Sequence, residues 1–117
     1  MRVMIMAKEG KPRAESKPPS PEDMAAFEKY NDELTKSGIV IGNGRLHPSS
    51  TAIRLDFSGD KPEIMDGPFT ESKELVAGYW IWQVRSMEEA VEWLKKAPFP
   101  GGRFEIRQVM DLPGTLP

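Results

Sequence analysis

Residues Gly78-Tyr79-Trp80-Ile81-Trp82-Gln83-Val84 form a segment that is apolar from whichever side it is read. Side chains alternate across a β-strand, so Trp80, Trp82 and Val84 point one way and Tyr79, Ile81 and Gln83 the other. A strand with two such faces needs cover on both sides and belongs inside a sheet. The opening segment Arg2 to Ala7 repeats the pattern, with Val3, Ile5 and Ala7 opposed to Met4 and Met6.

What can supply that cover is limited by the helices. Ser20-Pro21-Glu22-Asp23 offers an N-cap serine, a proline at the first helical position and acids in the first turn. Met24, Phe27, Tyr30 and Leu34 follow at three-to-four spacing, and Ser37-Gly38 supplies the stop, so the spacing predicts a helix over Pro21 to Ser37. A second helix starts at the capping box Ser86-Met87-Glu88-Glu89, with Met87, Ala90, Val91 and Leu94 on one face, Trp93 at its edge and Pro98 barring continuation.

The remaining periodicity is that of strands. Gly38 to Arg45 contains Ile39-Val40-Ile41. Thr51 to Phe57 alternates apolar and polar residues, which predicts a strand with one buried face. Ser58-Gly59-Asp60 turns the chain into a hairpin return at Lys61 to Met65, and Arg103 to Met110 reads as the last strand. The order predicts an α+β ferredoxin-like sandwich, β-α-β-β-α-β with an extra hairpin and both helices on one face of an antiparallel sheet. Two helices cover one face only. The other, expected to carry Trp80, Trp82 and the methionines, calls for a second copy packed sheet against sheet, with any ligand cavity between that face and the loops.

At 117 residues the chain is one domain, with residues 8–19 read as a mobile loop and 111–117 as a tail. Its lack of cysteine excludes disulfides, thiolate metal sites and a cysteine nucleophile, and fits a reducing cytoplasm. One histidine is too few for a metal centre, so no metal or cofactor is expected. A net charge of -2 with dispersed Lys and Arg argues against nucleic acid, and no apolar run is long enough for a membrane span.

Chemistry concentrates in Asp66-Gly67-Pro68-Phe69-Thr70-Glu71-Ser72-Lys73-Glu74. Asp66 is a candidate general base, its ordinary use being to cap a turn. Glu71 lies three residues from Glu74 and is a candidate acid, and Lys73 a candidate anion-binding group, although such residues commonly form solvated ion pairs. His47, the one side chain with an ordinary pKa near neutrality, stands at a strand end. Arg45 can present a guanidinium to a carboxylate, and Tyr79 and Trp80 can line an aromatic pocket, core packing being their ordinary use. No phosphate-binding loop, nucleophile elbow or dinucleotide fingerprint occurs.

Asp66-Gly67-Pro68-Phe69, Glu71, Lys73-Glu74 and Gly78-Tyr79 together resemble the signature of the DGPF branch of the YCII-related family. The resemblance extends to the opening strand, the acidic first helix, Gly44 to Pro48 and Glu105-Ile106-Arg107. It implies a dimeric α+β barrel of ferredoxin-like subunits and, for some members, a link to a sigma factor. Another branch is proposed to pair a histidine near the start of the first helix with an aspartate near the end of the second. This chain has Pro21-Glu22-Asp23-Met24-Ala25-Ala26 and Ala97-Pro98-Phe99 there, so the dyad does not carry over.

The leading expectation is a homodimeric small-molecule protein with a cleft bounded by Asp66, Glu71 and Lys73, performing cofactor-free acid-base chemistry such as elimination or isomerisation. The alternative is a non-catalytic ligand-binding or regulatory module beside a sigma factor. A cofactor-free monooxygenase shares the barrel by analogy only.

Overall fold

The computed structural model describes residues 1–8, 20–69, 75–98 and 102–111. Its elements are β1 (Arg2–Lys8), α1 (Pro21–Ser37), β2 (Val40–Arg45), a 3-10 turn at Ser49–Thr51, β3 (Ile53–Asp56), β4 (Glu63–Asp66), β5 (Val76–Gln83), α2 (Met87–Lys95) and β6 (Arg103–Gln108). The predicted loop and tail lie outside the described residues except at their ends. Lys8 closes β1, and Asp111 accepts a 2.6 Å hydrogen bond from Arg2.

Helix α1 begins and ends where its caps require. Ser20 Oγ accepts from the Asp23 amide and the Asp23 carboxylate accepts from the Ser20 amide, while Gly38 leaves the helix at φ 76°, a left-handed conformation suited to glycine. In α2, Ser86 Oγ accepts from the Glu89 amide at 3.1 Å. Glu89 reaches back to Arg85 rather than to Ser86, taking its amide at 3.2 Å and its Nε at 2.7 Å, and these bonds hold the Glu89 carboxyl below its ordinary pKa.

The main sheet has the order β2-β5-β1-β6 with every neighbouring pair antiparallel. Each β-α-β half leaves a gap that a strand of the other half fills. The result is an α+β fold with an antiparallel sheet and two helices, compatible with the ferredoxin-like class.

The registers correct the expected facing of β5. Val3 stands opposite Trp82 and Ile5 opposite Trp80, and all four are buried with Tyr30, Leu34 and Ala90 beneath the helices. The other face, which no helix among the described residues covers, therefore carries the half-buried Met4, Met6, Tyr79 and Ile81, not the tryptophans. Either side of β5 is apolar, so alternation alone does not choose; putting the two indoles under the helices removes the larger apolar area from water. The burial has one cost: the Trp82 indole N–H has no hydrogen-bond partner among the described residues.

Tyr30 joins both helices to the sheet. Its ring meets Trp80 edge-on at 6.3 Å, and its hydroxyl donates to the Trp93 carbonyl at 2.7 Å. In α2, Trp93 packs on the core while Val91 is exposed, reversing the expected roles of those two side chains.

The hairpin β3–β4 forms its own two-stranded sheet, and here the expectation of a buried face is overturned. Ile53, Leu55, Phe57 and Ile64 are 62, 53, 70 and 68% exposed. Alternation marks which side chains share a face, not whether anything covers it.

Burial pushes the Tyr30 phenol up from 10.0 to about 12, with Glu33 adding to the shift. The neutral phenol is favoured in the fold, so its contribution is whole below pH 10.0 and disappears as the pH rises towards about 12. Urea denaturation across this range should show the wild type losing stability more steeply than Tyr30→Phe, and that variant should be about 1 kcal/mol less stable at neutral pH.

Candidate functional site

Where the hairpin leaves the domain, its two ends are fastened to each other. Pro48 starts the 3-10 turn, whose bonds run from the Thr51 amide to the Pro48 carbonyl at 3.1 Å and from the Ala52 amide to the Ser49 carbonyl at 2.9 Å. Gly67, directly after the returning strand β4, donates its amide to the Ala52 carbonyl at 2.8 Å, and the Phe69 amide donates to Ser49 Oγ at 3.3 Å. The Gly67-Pro68 peptide is cis. A Cβ on Gly67 would collide with the Ser49 carbonyl, so close approach of two backbones explains the glycine of the Asp-Gly-Pro-Phe corner.

This corner forms one wall of a cleft of about 200 Å³. Leu46, Ala52, Phe69, Leu75 and Val76 make it apolar, and His47, Ser49 and Arg54 bring the polar groups. The Arg54 guanidinium lies 3.6 Å from the centre of the Phe69 ring, a cation–π contact that sets the ring and the charge on one wall. The cleft is open to solvent, with His47 and Arg54 exposed at its rim.

The residues singled out from the sequence fall in different places. His47 lines the cleft. Asp66 is exposed, and its register opposite Ile53 puts it on the hairpin face that carries Leu55 and Ile64. Arg54, opposite Met65, belongs to the other face, the one that reaches the cleft. Asp66 thus stands at the corner without lining the cleft.

Tyr79 is on the open face of the main sheet, where its ring packs over Gly44 so closely that a Cβ there would come within 2.8 Å of it. Arg45 is exposed on the edge strand β2, and Trp80 is in the core against Trp82 and Phe104. Glu71 and Lys73 lie outside the described residues. Arg54 and Ser49 were missed by sequence reasoning, which put Arg54 on the polar side of a half-buried strand and gave Ser49 no role. The available signal was the serine directly after His47-Pro48, a residue type suited to holding a neighbouring backbone. Among the described residues no cluster of acidic or histidine side chains could hold a metal ion, and no helix is long and apolar enough to cross a membrane.

Comparison with known proteins adds two findings. The family model for the YCII-related domain matches residues 1–113. The chain is also 33% identical over 99 residues to an uncharacterized protein of Rhizobium meliloti (strain 1021), an alignment covering 81% of this chain and 77% of that one.

Gly67→Ala should lower stability by about 1–3 kcal/mol, because the Ser49 carbonyl must give way. Urea denaturation measures the loss, and faster hydrogen exchange at the Phe69 amide would place it at the corner.

Proposed function

Because the chain belongs to the YCII-related family, we propose that it is a homodimeric small-molecule-binding protein whose ligand occupies the cleft at the base of the hairpin. The observation that carries this reading is the pairing of apolar walls with Arg54 stacked on Phe69 and with His47 and Ser49 alongside. Such a wall suits a ligand with an apolar body and an acceptor group, a small carboxylic acid for example. Glu71 and Lys73 follow Phe69 by two and four residues and stay in the proposal on that proximity alone.

Catalysis is a second reading, favoured by the position of His47. In cofactor-free elimination or isomerisation, the proton-transfer group nearest the ligand would be His47, with Asp66 acting only if the corner rearranged. A regulatory module beside a sigma factor would use the cleft and need neither group. The homodimer is supported by the uncovered face with Met4, Met6, Tyr79 and Ile81, which a second sheet would cover in a dimeric α+β barrel. A cytoplasmic location goes with the cysteine-free composition.

NMR titration with benzoate as the probe tests the site. Shifts should concentrate at His47, Ser49, Ala52 and Val76, and Arg54→Ala should weaken binding by about tenfold. Shifts confined to other surfaces, or equal binding by Arg54→Ala, would remove the ligand from this cleft. Proton exchange or elimination by the wild type that is lost in His47→Gln would select the catalytic reading.

A further inference from the structure

We propose that the β3–β4 hairpin is an arm that docks on the β1–β6 margin of a second copy of this chain, an inference that rests on the homodimer reading above. A two-stranded hairpin is marginally stable alone, and this one turns Ile53, Leu55 and Ile64 to a single face, all more than half exposed. The chain is a slab of 48 × 44 × 18 Å with a radius of gyration of 16.6 Å, against about 13 Å for a compact domain of this length. Its own sheet therefore leaves the arm's apolar face uncovered.

Charge selects the surface that would cover it. From Ile53 to Asp66 the hairpin has a net charge of -2, and of its charged strand residues Asp66 shares the face of Ile53, Leu55 and Ile64, whereas Arg54, Asp56 and Glu63 lie on the opposite face. Across the main sheet, β6 is an edge strand, and its Glu105 and Arg107 stand level with Met6 and Met4 on the open face. With Arg2, Lys8, Arg103 and Asp111 this margin has a net charge of +2 beside apolar methionines. An acidic, apolar arm and a basic, apolar margin on the same chain complement each other, and in a two-fold dimer each arm meets the other subunit's margin. Since both ends of the arm are fastened at the cleft, docking also fixes one wall of the ligand site of each subunit.

Sedimentation of the full chain at low and high salt tests the arm. Asp60→Lys with Asp66→Lys, and separately Arg103→Glu with Arg107→Glu, should each weaken the dimer by about tenfold or more, and mixing the two variants should restore association as a heterodimer. Leu55→Ser with Ile64→Ser should weaken it likewise; if circular dichroism shows that this variant unfolds, the charge reversals carry the test. A wild-type dimer whose affinity is unchanged by both charge reversals overturns the arm and leaves the dimer standing. A wild type that stays monomeric overturns the dimer reading and the arm with it.

Discussion

The meeting of Tyr30 with Trp80 and Trp93 is the contact on which the architecture depends. A buried tyrosine must satisfy its hydroxyl, and the Trp93 carbonyl in the last turn of α2, which already accepts from the Lys96 amide at 3.2 Å, has a second lone pair to fill. Tyr30 in α1 meets both needs by donating to the Trp93 carbonyl of α2 while its ring edge rests on Trp80 of β5. One side chain thus sets the spacing of the two helices and their seat on the sheet. Trp82, Val3 and Ile5 complete a layer that excludes water, and no charged or polar residue is buried among the described residues.

Once that layer is chosen, the rest of the surface follows. Helices on the Trp80 side leave the Met4 and Met6 side without cover, and β2 and β6 become the edges. Gly44 makes room on β2 for the Tyr79 ring, so the open face has an aromatic at one margin and the ion pair of Lys8 with Glu105, 3.4 Å apart, at the other. The cleft is separate from this core. It is built by a backbone knot between Ser49–Ala52 and Gly67–Phe69, and its polar groups come from a strand and a turn that the core does not hold directly.

Much of this was legible in the sequence wherever the determinant is local. Helix α1 runs between the residues its caps name, because serine, proline and glycine act on the backbone beside them. The Asp66 corner announced a special backbone for the same reason. The facing of β5, the exchange of Val91 for Trp93 on α2 and the exposure of the hairpin were not legible, since each depends on what lies across from a residue. The site shows the same division. His47 could be singled out by residue type alone, whereas Arg54 needed the fold to bring it over Phe69, and the register of Asp66, which turns it to the opposite face of the hairpin, is not legible from its neighbours in sequence.

The fastening at the base of the hairpin has a mechanical consequence. Two strands that left the domain separately would let the tip wander with little effect behind it. Here the amide of Gly67 is tied to Ala52 and that of Phe69 to Ser49, and no space exists between Gly67 and the Ser49 carbonyl to take up slack. The base of the hairpin and the wall of the cleft are therefore one joint, because the backbone that holds the two strands together also carries Phe69 under Arg54.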